Sequence, residues 1–188
     1  MDDILAIRNL YGGYSPVTIT VNNAFACVNE NVVYTLSGNI PSDATISWQG
    51  TQNATLVSGQ GTKNATFKVS GYAYAKVQAV LTKGNSTTIE NAEVWVGPPR
   101  FIDSPNYQST IKRDLLESFF LTAIFKGNPS SYNWKVNGEP LSGRYLDAGD
   151  GTISILLKYL RVGDYTYTVD VDNPCGTASE LFFVTIIN

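Results

Sequence analysis

No histidine occurs in the 188-residue sequence. That absence removes Ser-His-Asp and Cys-His nucleophilic catalysis, and with them the commonest protein metal ligand. Cysteine is limited to 2 residues, Cys27 and Cys175, too few for a zinc cluster. Charge is scarce as well. Asp, Glu, Lys and Arg make up 15% of the chain, below the usual quarter. The 13 Lys and Arg residues form no run and the net charge is −3. Nucleic-acid binding needs a concentrated basic face, so no nucleic-acid partner is expected. Long apolar runs are missing too. Stretches such as Leu181 to Ile187 are strand-sized, short of the roughly 18–20 residues of a spanning helix, and no membrane insertion is expected. Met1 is followed by Asp2-Asp3 where a secretory signal carries basic residues, and no apolar h-region follows.

The remaining acids give no enzymatic pattern. A glycosidase needs two carboxylates facing each other across a cleft, whereas Asp147, Asp150, Asp164, Asp170 and Asp172 fall near turns or on strand surfaces. No enzyme activity and no cofactor are expected. Asp170-Val-Asp172-Asn173 alternates oxygen ligands along one strand and Asp147-Ala-Gly-Asp150-Gly151 reads as a turn. Calcium wants several such oxygens, but solvation of an outward face is the expected role, and no metal site is assigned.

What the chain has instead is β-sheet chemistry. Apolar residues make up 43% and aromatics 12%, which suits a globular protein. Strict alternation marks Val32, Tyr34 and Leu36, and again Val77, Ala79 and Leu81. In the first half strands are predicted at Val17–Val21, Val32–Ser37, Thr45–Gln49, Thr66–Val69, Lys76–Leu81 and Thr87–Val96. In the second they are predicted at Phe119–Phe125, Tyr132–Val136, Pro140–Tyr145, Thr152–Leu157, Tyr165–Val171 and Glu180–Ile187. Asn137-Gly138 is the strongest hairpin turn. A helical turn is weighed over Ile111 to Ser118.

Each half carries one Trp at the end of a polar–apolar alternation, in Ala44-Thr-Ile-Ser-Trp48 and Ser131-Tyr-Asn-Trp134. A lone mid-strand Trp repeated once per half is the pattern of two tandem Ig-like β-sandwiches, in which the third-strand indole fills the space between sheets. The length fits two such domains of about 90 residues. Leu160-Arg-Val-Gly163-Asp164-Tyr165-Thr-Tyr167 reads as a tyrosine corner held by Tyr165. Tyr167 then stands where an antibody domain places its second disulfide cysteine. The expected organisation is an N-terminal arm over residues 1–14, an Ig-like domain over 15–97 and a second Ig-like domain over 98–188. The pair Pro98-Pro99 makes a stiff connector.

Cys27, Val33-Tyr34-Thr-Leu36, Thr45-Ile-Ser-Trp48, Val57-Ser-Gly-Gln-Gly-Thr62, Ala65-Thr-Phe67 and Val94-Trp-Val-Gly-Pro98 form a set in the first module. In these stretches the module resembles the Ig-like, PKD-like repeats of secreted and surface proteins of the Bacteroidota. The second module matches a partner pattern in Tyr132-Asn-Trp134, Gly163-Asp-Tyr-Thr-Tyr167 and Asn173-Pro-Cys-Gly176. Such modules accompany enzymes, adhesins and structural proteins alike, so the resemblance implies fold and lineage rather than a ligand. Modules of this kind work outside the cell, and the chain opens without an export signal. The first expectation is therefore a phage virion protein, a capsid or tail decoration that docks on a protein lattice and displays an Ig-like domain on the virion surface. A glycan contact through the second module belongs to that expectation. The alternative is a tandem Ig-like segment of a bacterial secreted or cell-surface adhesin.

Two sets of residues are candidates for function. Ile4, Leu5, Ile7, Leu10 and Tyr11 give the N-terminal arm more apolar side chains than a free tail carries, and they are the candidate docking residues. Cys27 and Cys175 belong to different modules, so neither can form an intersheet bridge within its own sandwich. Strand topology puts Cys27 at the C-terminal pole of the first module and Cys175 at the N-terminal pole of the second, which makes an interdomain disulfide a candidate. Two separate buried thiols are the competing reading. Tyr is abundant: Tyr34, Tyr132, Tyr165 and Tyr167 fall at core positions, while Tyr11, Tyr14, Tyr72, Tyr74, Tyr107 and Tyr145 are less explained; core or loop anchoring is expected of them, with stacking on sugar rings or a protein interface as the alternative.

Overall fold

The structure is a computed structural model and describes residues 16–112, 118–141, 145–158 and 161–187. The five candidate docking residues of the arm lie outside them. The described residues hold strands and no helix, and therefore no helix long and apolar enough to cross a membrane. The chain divides into two compact units between Val96 and Gly97.

The first unit contains β1 (Thr18–Val21), β2 (Phe25–Ala26), β3 (Asn31–Ser37), β4 (Thr45–Gln52), β5 (Ala54–Ser58), β6 (Asn64–Val69), β7 (Tyr74–Lys83) and β8 (Ser86–Val96). One sheet has the order β1-β3-β6-β5 and the other β2-β8-β7-β4. That partition, with a short extra strand β2 running parallel to β8, is an Ig-like sandwich. The second unit contains β9 (Arg100–Asp103), β10 (Thr110–Lys112), β11 (Phe119–Lys126), β12 (Ser131–Val136), β13 (Glu139–Pro140), β14 (Tyr145–Asp147), β15 (Thr152–Leu157), β16 (Gly163–Asn173) and β17 (Gly176–Ile187). Its sheets, β14-β15-β11-β9 and β10-β17-β16-β12-β13, repeat the plan, again with a parallel pair, β10 beside β17. The protein is all-β, two tandem Ig-like sandwiches.

Alternation sets which side chains go inside. In β3, Val32, Tyr34 and Leu36 are buried while Asn31, Val33 and Ser37 are exposed. In β15, Ile153, Ile155 and Leu157 are buried. Each unit has its own core. Trp48 sits against Phe67 at a centroid distance of 6.2 Å, and Tyr34 meets Phe67 edge-on at 5.6 Å. Trp134 stacks on Phe182 at 6.1 Å, and Phe101 packs edge-on between Phe125 and Phe182. Burial pushes the Tyr34 and Tyr167 phenols up to about 12. Their hydroxyls find no hydrogen-bond partner among the described residues.

The tyrosine corner forms as expected, with Tyr165 Oη donating to the Arg161 carbonyl at 3.0 Å. Asn137 and Gly138, at φ of 49° and 87°, make the two-residue β12–β13 turn. Asn tolerates the left-handed region and Gly meets no penalty there, which is why this dipeptide sits in such turns.

Two expectations need correction. Pro140–Tyr145 is not one strand. Pro140 ends β13 opposite Lys135, whereas Tyr145 opens β14 in the other sheet. A proline has no N–H to donate, so it suits the last rung of an edge strand and the chain then leaves the sheet. Nor does a helical turn begin at Ile111. Ile111 and Lys112 pair with Ile186 and Ile187 in β10; the remainder of that reading falls outside the described residues, apart from Ser118, which lies in no helix. Isoleucine is β-branched and gains more from pairing along β17 than from an isolated turn.

Candidate functional site

A face with exposed apolar side chains is the outer side of the β17-β16-β12 sheet in the second unit. Side chains at every second position point outward, so the register fixes their neighbours. Leu181 stands opposite Thr168, Phe183 opposite Thr166 and Thr185 opposite Asp164. Further along, Ser179 faces Asp170 and Thr177 faces Asp172, while β12 adds Lys135, Asn133 and Ser131 in register. The face is therefore divided. One half carries Phe183, 60% exposed, and Leu181, 45% exposed; the other is a ladder of hydroxyls and carboxylates.

Each acid in that ladder accepts at least one side-chain hydrogen bond. Asp170 accepts from Lys135 Nζ and from Ser179 Oγ, both at 2.6 Å. Asp172 accepts from Ser131 Oγ at 2.9 Å and from Thr177 Oγ1. Asp164 accepts from Thr185 Oγ1 at 2.8 Å. Their oxygens face donors, the reverse of what a calcium site requires. Among the described residues no group of three or more acids or other ligands is arranged to hold a metal ion. The other acidic run is a turn: Asp147 accepts from the Gly149 N–H and Asp150 from the Thr152 N–H, each an Asx-turn contact.

Donation from Lys135 and Ser179 holds the Asp170 carboxyl below its ordinary value, and donation from Thr177 and Ser131 does the same for Asp172. A depressed folded-state value means stability that is present above the unfolded aspartate pKa, about 3.9, and lost as the pH falls through the folded value. Acid unfolding of the second module should thus steepen below about pH 4. Asp170→Asn should flatten that dependence. Melting curves of the variant and the parent between neutral and acid pH check it, and parallel pH slopes would count against the assignment.

Asn173 has a different role from the ligand weighed for it. It is buried, 6% exposed. Its Nδ2 donates to the Gly97 and Gly127 carbonyls at 3.1 and 2.8 Å, and its Oδ1 accepts the Cys175 N–H at 2.8 Å. It ties the β16–β17 turn to the first residue of its own unit.

Two of the unexplained tyrosines are anchored. Tyr107 donates to the Phe183 carbonyl at 2.8 Å with its ring against Phe182. Tyr74 packs edge-on against Trp95 at 5.3 Å. Tyr72 stays 67% exposed. Cys27 follows β2 and Cys175 lies in the β16–β17 turn; neither is a free thiol.

A clamp in the first unit escaped the sequence reading. Gln60 Oε1 accepts the Trp48 N–H at 2.6 Å and its Nε2 donates to the Trp48 carbonyl at 3.3 Å, so one side chain occupies both backbone groups of that residue. Trp48 Nε1 in turn donates to the Thr62 carbonyl at 2.8 Å. The flanking Gly59, at φ +90°, lies where a Cβ would come within 2.1 Å of the Asn64 carbonyl oxygen. The available signal was a glutamine held between two glycines in Val57-Ser-Gly-Gln-Gly-Thr62.

No family model matches the chain. No curated protein matches it either. Solved structures that resemble it are tandem Ig proteins. A titin Ig tandem is 12% identical over 91% of this chain and 97% of its own, with a TM-score of 0.46. The titin domains z1z2 in complex with telethonin are 15% identical over 92% of this chain and 98% of their own, with a TM-score of 0.40. Dpr2 Ig1-Ig2 in complex with DIP-Theta Ig1-Ig3 is 14% identical over 93% of this chain and 66% of that one, with a TM-score of 0.49. Strand order, register and the two buried tryptophans, rather than these likenesses, make the modules Ig-like.

Proposed function

We propose that the chain is a non-enzymatic display and binding protein, most specifically a virion decoration protein that docks on a capsid or tail lattice and presents its second Ig-like module. The observation that supports a contact role is the half-apolar outer face of that module. Phe183 and Leu181 stand in solvent beside a row of threonines, on a sheet whose inner face already supplies the core. Covering the exposed part of one phenylalanine is worth on the order of 2 kcal/mol. An aromatic ring beside hydroxyls also suits a sugar ring, which supports a glycan contact on the same face. The arm residues Ile4, Leu5, Ile7, Leu10 and Tyr11 serve as the docking segment in this reading.

Deletion of residues 2–13 tests it. Melting of both modules should stay nearly unchanged while incorporation into particles is lost. Strong destabilisation of the first module with normal incorporation would show that the segment belongs to the fold and not to docking.

The second reading is a tandem segment of a secreted or cell-surface adhesin. The state of the cysteines favours it, since neither is a free thiol and disulfides persist in oxidising compartments. Detection of the chain on intact bacterial cells, and not on purified particles, would select this reading.

A further inference from the structure

In the second unit β17 is bordered by β16 from Gly176 to Ile186, but by β10 only from Thr185 to Ile187. Hydrogen bonds of its neighbours fix which way its backbone groups point. Thr166, opposite Phe183, turns its own groups toward Asn137 and away from β17. Its N–H donates to Asn137 Oδ1 at 2.9 Å, and its carbonyl accepts the Asn137 N–H at 2.8 Å. Thr166 and Phe183 are therefore a non-hydrogen-bonded pair, and the backbone groups of Phe183 point to the other side. Two contacts there agree. The Phe183 carbonyl accepts from Tyr107 Oη at 2.8 Å, and the Thr185 N–H donates to the Ser109 carbonyl at 2.8 Å. Alternation carries the same direction back to Leu181 and Ser179. Among the described residues nothing bonds the Phe183 N–H or either backbone group of Leu181 and Ser179. This open edge is about 14 Å long at ~3.4 Å per residue. Proline, lysine or a bulge ordinarily blocks such an edge. Ser179-Glu-Leu-Phe-Phe183 has none of them, and its register with β16 is unbroken. At the far side of the same sheet, by contrast, β13 is two residues long and ends in Pro140.

We propose that this edge binds an extended peptide segment of a protein partner, which joins β17 as an antiparallel strand. Main-chain bonds give such a complex its affinity, and alternate side chains give it its specificity. Antiparallel pairing is the more stable per residue. The residues of β17 that face the edge also carry the outward side chains, so the register fixes what stands beside each position of the added strand. Positions beside Phe183 and Leu181, both exposed, suit apolar side chains. The next outward position lies beside Ser179, which donates to Asp170, and the one after beside Thr177, which donates to Asp172. Asp170 is paired with Lys135. Asp172 accepts from the hydroxyls of Ser131 and Thr177, which leave its charge in place, so a basic side chain suits the position beside Thr177. The partner segment therefore reads, in chain order at alternate positions, apolar, apolar, hydroxyl, basic. This inference rests on the contact role read for the outer face of the module and names what that module contacts.

The test uses the full chain and an acetylated, amidated peptide of sequence Val-Thr-Val-Thr-Thr-Thr-Lys. At saturating peptide, amide hydrogen exchange read by NMR should slow by about tenfold or more at Ser179, Leu181 and Phe183. Glu180 and Phe182, whose N–H groups face β16, should not change. N-methylation of both valines removes the donors that meet β17 and should abolish the protection. N-methylation of the second and fourth residues, whose N–H groups face away, should leave it intact. Absence of protection with the parent peptide would overturn the proposal. So would protection that survives methylation of the valines, because the peptide would then hold the outer face by its side chains alone. Protection of the same amides without peptide, growing with protein concentration, would mean that a second copy takes the edge and would also overturn it. None of these outcomes touches the display reading, which particle incorporation tests by itself.

Discussion

Trp134→Ala should destabilise the second module by about 3–5 kcal/mol and leave the first nearly untouched, and Trp48→Ala should do the reverse. Both indoles are almost fully buried, 1% and 2% exposed, and each belongs to a separate hydrophobic core. In a domain of this size the loss corresponds to a fall in melting temperature of roughly 15 °C or more. Calorimetry of the variants should show one transition moving and one staying. A single transition that moves equally for both substitutions would mean that the modules melt as one body. The conservative pair separates the two sites further. Trp48→Phe removes the donor to the Thr62 carbonyl, a part-buried bond to an exposed residue, so about 0.5–1.5 kcal/mol is lost beyond the lost volume. Trp134 Nε1 has no partner among the described residues, so Trp134→Phe should lose packing alone and be the milder change.

The cores were legible because alternation and a lone Trp per module are strong signals. Val32, Tyr34, Leu36, Val77, Ala79 and Leu81 are all buried, and both tryptophans fill the expected place between sheets. The short edge strands were not legible. β2, β9 and β10, of two to four residues, are too short for any period to show, and tertiary pairing alone makes them strands. β5 was hidden between Asn53 and the Ser58-Gly59 turn. The β13–β14 break was missed because Pro140 reads as a strand start until its partner, Lys135, is known. The outer face of β16 and β17 was half legible. The alternation of Asp170 and Asp172 was visible, but the hydrogen bonds they accept from Ser131, Lys135, Thr177 and Ser179 depend on a register that one strand's sequence does not carry. The exposed pair Leu181 and Phe183 lay inside a run that reads as continuous core, because they alternate with Phe182 and Val184, which are buried.

Asn173 is where sequence reasoning and structure part most, and it carries the second large expected effect. Grouped with Asp170 and Asp172, it looks like one more oxygen on an acidic strand. In the structure it is the inward member of that alternation and satisfies three backbone groups at once. Asn173→Ala leaves the Gly97 and Gly127 carbonyls and the Cys175 N–H without this partner. Each buried orphan costs about 1–3 kcal/mol, and water relieves some of that, so a total near 3 kcal/mol is expected for the second module. Asn173→Asp is the sharper experiment, because it keeps the acceptor for the Cys175 N–H and replaces the donor with an anion that faces two carbonyl oxygens. Burial and that repulsion both raise the folded-state pKa of the new carboxyl above its unfolded value. The folded variant then binds more protons than the unfolded one over that interval, so it becomes more stable as the pH falls from neutral toward about 4. The parent has no such gain over the same interval. Denaturant titrations at several pH values read the two slopes directly. A variant that follows the parent at every pH, or an Asn173→Ala loss under about 1 kcal/mol, would mean that the side-chain bonds to Gly97 and Gly127 contribute little and that the turn is held by its strand pairing alone.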